Sequence, residues 1–417
     1  MVDKAPFQLN RDLLKACVHC GMCLPACPTY AVTGNEAESP RGRLFLMKAF
    51  QDGELADPEA LGKHLDNCLG CQACETACPS GVQYGQLLYQ AREHLAPLRK
   101  KRPFKRLILK HVLPNRSLLK GMGQLAQLSQ QTGLMKLAEK LLPGRLGWQA
   151  GLLPKLRSSQ ELHPGMSFGN PEHPRVALLL GCVMEVLYNP VHWATIQVLV
   201  ANGYCVVLPE GQGCCGALAH HAGEADIARD LARANVKQVL RMNPQWIVLN
   251  SAGCGAMLKD YDHLLAGDAA MARQAKDFAS RVIDVMSLLA LKPLAPMTRP
   301  VAQTVTYHAA CHLHHAQKQR TAALEVLEKV PGLTLVPLTD ADACCGSAGI
   351  YNVEHPELSQ EILARKMACL TQTGAETVVT GNPGCMLQLE AGLKAEGVSM
   401  RVRHPIELVA QAYESRL

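Results

Sequence analysis

Aromatic residues make up only 4% of this 417-residue chain, too few for a nucleic-acid platform built on base stacking. No apolar run approaches the length that spans a bilayer, and the opening MVDKAPFQLNRD has no apolar leader core. A reducing, cytosolic setting is therefore expected, in which thiols are not consumed by disulfides. Paired carboxylates, a nucleophile triad and a convincing flavin site are also missing. What the sequence has in excess is cysteine, 18 residues, and in a reducing setting metal ligation is the expected use.

Cys17, Cys20, Cys23 and Cys27 are followed by Pro28, and the same spacing returns in Cys68, Cys71, Cys74 and Cys78, followed by Pro79. This is the bacterial two-cluster ferredoxin run, in which the fourth cysteine of each run ligates the other cluster. Cys17, Cys20, Cys23 and Cys78 are thus expected to hold one [4Fe-4S] cube, and Cys68, Cys71, Cys74 and Cys27 the second. Two zinc sites or a disulfide framework are the rival readings, but zinc sites usually show Cys-x-x-Cys pairs without a third cysteine and a Cys-Pro. Pro28 and Pro79 are expected to open helices, where a missing N–H costs nothing.

Asn10 is expected to cap a short helix over 11–16. Arg41 and Arg43, between the two cysteine runs, are candidates for groups around the clusters, where a guanidinium would raise the potential of an anionic cube. A turn followed by an ordinary helix start explains them equally well. Much of the net charge of +6 falls between Arg92 and Lys120, where ten basic residues face the single acid Glu93. That stretch is read as a solvated linker face, or as a patch for an anionic bilayer or an acidic partner. From about Gln86 to Arg157 the chain reads as helices broken at Pro97, Pro103, Pro114, Pro143 and Pro154, and 158–174 reads as a boundary.

After that boundary short apolar runs alternate with helical patterns, which implies a parallel sheet flanked by helices. Strands are expected over 176–180, 205–208, 246–249, 304–309, 333–338 and 377–380. Cys214 lies 32 positions after Cys182 and Cys344 lies 33 after Cys311; Cys254 lies 39 after Cys215 and Cys385 lies 40 after Cys345. Such self-similarity indicates a duplicated α/β unit, with its thiols at the carboxyl ends of parallel strands. The quartets Cys182, Cys214, Cys215, Cys254 and Cys311, Cys344, Cys345, Cys385 suffice for an iron–sulfur cluster or a tetrahedral zinc in each copy, or for metal-free structural thiols. Cys205 and Cys369 fall outside the repeat and read as small core residues. Gly211-x-Gly213-x-x-Gly216 resembles a dinucleotide fingerprint, but the second copy has Ala341 and Ala343 where the first two glycines would be. His308 and His312 flank Cys311, where they would pass protons or hydrogen-bond a sulfur; surface histidines at a turn are the plain alternative.

Ala16-Cys17-Val18-His19-Cys20-Gly21, Pro28-Thr29-Tyr30, Pro40-Arg41-Gly42-Arg43, Cys78-Pro79-Ser80-Gly81-Val82, Gly213-Cys214-Cys215-Gly216-Ala217, 251–256 and Cys344-Cys345-Gly346-Ser347-Ala348-Gly349 together resemble the glycolate oxidase iron-sulfur subunit family over nearly the whole chain. The resemblance implies a multidomain α plus α/β protein, with a helical two-[4Fe-4S] ferredoxin-type module followed by a duplicated α/β parallel-sheet CCG domain. The expected divisions are 1–95, a basic helical linker 96–170, and repeats 171–295 and 296–417. It further implies flavin-containing partner subunits, quinone as acceptor, no flavin and no nucleic acid on this chain, and a cytoplasmic position at the periphery of the inner membrane. The iron-sulfur subunit of an anaerobic glycerol-3-phosphate dehydrogenase shares the layout, and a disulfide or quinone reductase acting at the Cys-Cys-Gly sites is the catalytic alternative. Ser251 and Asn382 stand where related heterodisulfide reductase subunits carry a further cysteine, which argues against their noncubane cluster.

Overall fold

The computed structural model describes residues 7–134, 151, 153–156 and 160–414. The break expected at Pro143 and the helical pattern expected around it lie outside the described residues.

The N-terminal part is helical. Asn10 caps the helix Arg11–Lys15 by accepting from Asp12 N at 2.9 Å, and proline takes the first position of the helices Pro28–Thr33, Pro40–Gln51 and Pro58–Asp66. Pro79 does not open a helix, contrary to expectation. It lies in a turn, and the next helix begins at Tyr84. Met47, Leu61, Leu65, Leu87 and Leu88 fill a small core behind the cysteine loops.

Two sheets follow. The first contains β1 (Ser167–Phe168), β2 (Arg175–Leu178), β3 (Cys205–Val207), β4 (Trp246–Leu249) and β5 (Val282–Asp284), in the order β1-β3-β2-β4-β5. The second contains β6 (Gln303–Tyr307), β7 (Leu333–Val336), β8 (Thr377–Val379) and β9 (Arg401–Arg403), in the order β7-β6-β8-β9. All pairings are parallel except β1 with β3. Apart from the edge strand β1, both sheets place the second strand beside the first, then the third, then the fourth. The strand order therefore reverses between β2 and β4, and again between β6 and β8, and such crevices at the carboxyl ends are where open sheets place ligands. One hydrophobic core joins the sheets, with Val176, Leu178 and Ile196 on one side and Val378, Ile406 and Val409 on the other.

The Cys-Cys-Gly turns owe their shape to the glycine. Gly216 and Gly346 have φ of 82° and 88°, a left-handed backbone that side chains disfavour. A Cβ on Gly346 would also stand 2.6 Å from the carbonyl oxygen of Ser359, whereas at Gly216 the nearest atom is Ala228 Cα at 3.3 Å.

The basic stretch is largely spent within the molecule. Arg99 pairs with Glu59 and Asp66, Lys105 with Glu354, Arg106 with Glu224 and Asp226, Arg116 with Glu185, and Lys120 with Glu161. Several of these acids belong to the two sheet-bearing regions. The segment is thus a strap that ties the helical module to both of them, and its charge is not left as a free patch.

Candidate metal centres

Cys17, Cys20, Cys23, Cys74 and Cys78 line one cavity of the helical module, together with Arg41. Cys20 is exposed. Cys74 has Cys71, Cys68 and Cys27 as its charged neighbours, and burial pushes its thiol well up, as it does that of Cys71. Cys74 thus belongs both to this cavity and to the company of Cys27, Cys68 and Cys71, so thiols of the two runs lie side by side within the helical module. Four thiols around a common space are a donor set that fits an iron–sulfur cube.

Arg41 and Arg43 take different positions. Arg41 is half-exposed; its Nη1 donates to His19 O at 3.0 Å and its Nε to Glu36 Oε1 at 2.7 Å. Arg43 is fully buried, with Nη2 donating to Glu38 Oε2 at 2.6 Å and Nε to His64 O at 2.7 Å. Burial opposes ionisation of the Cys68 thiol, but the guanidinium groups of Arg43 and Arg92 outweigh it and hold the pKa below the ordinary value. Tyr84 Oη and Gly70 N also donate to Cys68 Sγ, at 3.5 and 3.4 Å. Tyr84 was not anticipated, since a tyrosine outside the cysteine run carries no spacing signal.

The eight cysteines of the repeats do not form two remote sites. All line one largely apolar cavity of about 170 Å³ between the sheets. In the first quartet Cys182 Sγ is 3.8 Å from Cys214 Sγ, and Cys215 Sγ is 3.1 Å from Cys254 Sγ. Such pairs fit a thiolate metal site, and soft ligands of this kind select zinc or iron–sulfur groups. Ser251 and Asn382 meet between the repeats: Ser251 Oγ donates to Asn382 Oδ1 at 3.5 Å, and Asn382 Nδ2 donates to Cys385 Sγ at 3.4 Å. Each holds its own repeat's last cysteine, Ser251 by accepting from Cys254 N at 3.5 Å.

The histidines near Cys311 are not surface residues. His308 and His312 are buried; burial lowers the pKa of His308 well below the usual value and that of His312 to about 4. Both are neutral near pH 7, which suits a hydrogen bond or a metal better than proton carriage. His312 Nδ1 lies 3.7 Å from Cys311 Sγ. His312 also stacks on His221, which stacks on Tyr89 of the helical module. Cys205 is buried in β3, while Cys369 is only half-buried on the helix Pro356–Thr371. Gly211 and Gly213 lie in the loop before the five-residue helix Ala217–His221, and the same loop carries Cys214 and Cys215.

Cys71, Cys311 and Cys344 share one small buried core with Leu69, Tyr351 and Ile362, and Tyr351 Oη donates to Asn67 O at 3.1 Å across that contact. The helical module thus meets the second repeat thiol to thiol.

A dicluster module packed against paired cysteine-rich α/β repeats is the build of an iron–sulfur protein. Known families match in the same order: the 4Fe-4S dicluster domain over residues 13–82, the linker region of the glycolate oxidase iron-sulfur subunit over 100–156, and the cysteine-rich domain over 176–259 and 305–390. The chain is 36% identical to the probable glycolate oxidase iron-sulfur subunit of Bacillus subtilis and 34% to the glycolate oxidase iron-sulfur subunit of Escherichia coli; each alignment covers 97% of this chain and 95% of the relative. It is 28% identical to lactate utilization protein A of Shouchella clausii, over 58% of this chain and 99% of that protein. The chain belongs to the glycolate oxidase iron-sulfur subunit family.

Proposed function

We propose that this chain is the electron-relay subunit of a glycolate (D-2-hydroxy acid) oxidase, taking electrons from a flavin-bearing partner subunit and passing them toward quinone. The observation that carries this reading is the continuous line of thiols, from the outer cavity at Cys17, Cys20, Cys23 and Cys78, through Cys27, Cys68, Cys71 and Cys74, to Cys311 and Cys344. In this reading each group of four ferredoxin-type thiols holds one [4Fe-4S] cube, with Cys78 and Cys27 crossing between runs. The clusters supply one-electron storage. The protein's part is to fix their separation, to keep water from the inner group, and to set its potential through Arg43 and Tyr84.

The proposed divisions are 1–95, 96–170, 171–295 and 296–417. Among the described residues no helix is long and apolar enough to cross a membrane. Peripheral contact with an anionic bilayer is supported by the helix Arg116–Gln131, whose Leu118, Met122, Leu125 and Leu128 are exposed, as are Phe104 and Leu107. The two cations of that helix, Arg116 and Lys120, are paired with Glu185 and Glu161, so the contact rests on its apolar face. Leu125→Glu is expected to abolish co-sedimentation with anionic vesicles.

The relay is tested on the full chain purified anaerobically. Two interacting cubes by low-temperature EPR, no flavin, and no glycolate oxidation until partner subunits are added are the expected results. Cys78→Ser should perturb the cube of the first run, and Cys27→Ser that of the second. Glycolate turnover by this chain alone would overturn the proposal.

A further inference from the structure

The two repeats carry matching cysteines, but one position beside them differs. Leu179 N donates to Val248 O at 2.9 Å, and His308 N donates to Val379 O at 2.9 Å. Each residue lies three positions before the first cysteine of its repeat, so the two are backbone equivalents at the ends of β2 and β6. Leu179 lines the shared cavity. His308 is wholly buried, and among the described residues neither ring nitrogen has a hydrogen-bond partner. A ring nitrogen of His308 and the Sγ atoms of Cys345 and Cys385 all lie within 4.8 Å of one another.

Leaving both nitrogens of a buried imidazole unbonded is unfavourable, and such a group calls for an explanation such as a missing ion. Three donors this close suit a single ion: with Zn–S near 2.3 Å and Zn–N near 2.0–2.1 Å, a tetrahedral shell places its ligands roughly 3.3–3.8 Å apart. A cube instead gives each thiolate its own iron and spreads the ligands more widely. We infer that His308, Cys345 and Cys385 form a mixed imidazole–thiolate site for one soft divalent ion, zinc or ferrous iron, in the second repeat alone. The first repeat lacks this site because Leu179 has no donor atom. Cys344, whose thiol is hydrogen-bonded to that of Cys345, stands beside these three donors and not among them. The carbonyl of Ala341 stands beside the imidazole without reaching hydrogen-bond geometry. A backbone carbonyl in that place is the usual partner for the second nitrogen of a ligating histidine, and a small ring rotation on binding would engage it.

The inference rests on reading the repeats as metal sites. Its test uses the full chain purified anaerobically, with zinc and iron counted and X-ray absorption recorded at both metal edges. Wild type is expected to show one ion with a nitrogen scatterer near 2.0–2.1 Å. His308→Leu should lose about one metal ion per chain, zinc or iron according to the natural occupant, with the EPR signals of the N-terminal cubes unchanged. His308→Cys should keep the ion and exchange the nitrogen for sulfur. Unchanged metal content and an unchanged edge spectrum in His308→Leu would overturn the site. If that variant does not fold, an unaltered nitrogen shell in His308→Cys would do so. Failure of the relay reading is seen separately, as missing N-terminal EPR signals in wild type.

Discussion

The first and second cysteine-rich repeats share a strand order and a cysteine spacing, yet their thiols stand in different surroundings. In the first, hydrogen bonds from Cys182 and Cys215 pull the thiols of Cys214 and Cys254 below the ordinary cysteine value, while the same bonds and burial push Cys182 and Cys215 well above it. In the second, hydrogen bonding along Cys311, Cys344, Cys345 and Cys385, together with burial, leaves Cys311, Cys344 and Cys345 pushed up. Among the described residues only the second abuts Cys71 of the helical module, and the second has His308 where the first has Leu179. A common backbone thus sets where thiols can gather, and the neighbours brought by other parts of the chain set what each group can bind.

The largest effect is expected from removing one ligand on each side. If each repeat holds a metal, Cys254→Ser and Cys385→Ser should each release the one of their own repeat and destabilise it by several kcal/mol, because metal-binding energy is also folding energy. Metal analysis with thermal melting checks this, and the contrast between the repeats fails if either change empties both.

Acid should strike the contact between repeats next. His192 of the first repeat and His404 of the second meet at Asn250: His192 Nδ1 lies 3.1 Å from Asn250 Nδ2, and His404 Nε2 lies 3.2 Å from Asn250 O. Burial lowers their pKa values to about 4 and about 3. Below pH 6.5 the unfolded chain takes up protons that the folded chain refuses, so the stability these groups confer is complete above that pH and lost as pH falls toward 4. At 1.36 kcal/mol per unit, His192 accounts for about 3 kcal/mol. Denaturant titrations at pH 7 and pH 4.5 should show this loss, with a shallower slope in His192→Gln.

The glycines give a smaller, asymmetric effect. Gly346→Ala should cost about 2–3 kcal/mol, because a backbone carbonyl blocks the new methyl group, and Gly216→Ala about 1 kcal/mol from the left-handed φ alone. Equal melting shifts would contradict the difference in packing. Smallest is Tyr351→Phe, which loses the bond to Asn67 O and should weaken docking of the helical module on the second repeat by about 1 kcal/mol. Loss of magnetic coupling between the cube proposed at Cys71 and any paramagnetic centre at the repeats would sharpen that result.

Much of this site was legible in the residue pattern. The spacing of the N-terminal cysteines, their matching intervals in the repeats, and the strands at 246–249, 304–309 and 377–380 are local signals, and the observed strands at Trp246–Leu249, Gln303–Tyr307 and Thr377–Val379 follow them closely. The strands β1, β5 and β9 escaped notice because they are two or three residues long, and β9 presents two arginines around one valine. The basic stretch read as a solvated face or docking patch, since nothing local reveals that Glu354, Glu224 and Asp226 come round to meet it.

The order of residues by itself determined which thiols exist, how far apart they lie along the chain, and that they follow strands of a repeated unit, because spacing and apolar period are properties of a short window. Only the tertiary structure decided that both quartets face one cavity, that Cys71 reaches the second of them, and that His308 is sealed beside Cys345 and Cys385. Those facts arise when two sheets and a helical module bury a common apolar surface, and the pairing of surfaces distant in sequence leaves no periodic trace.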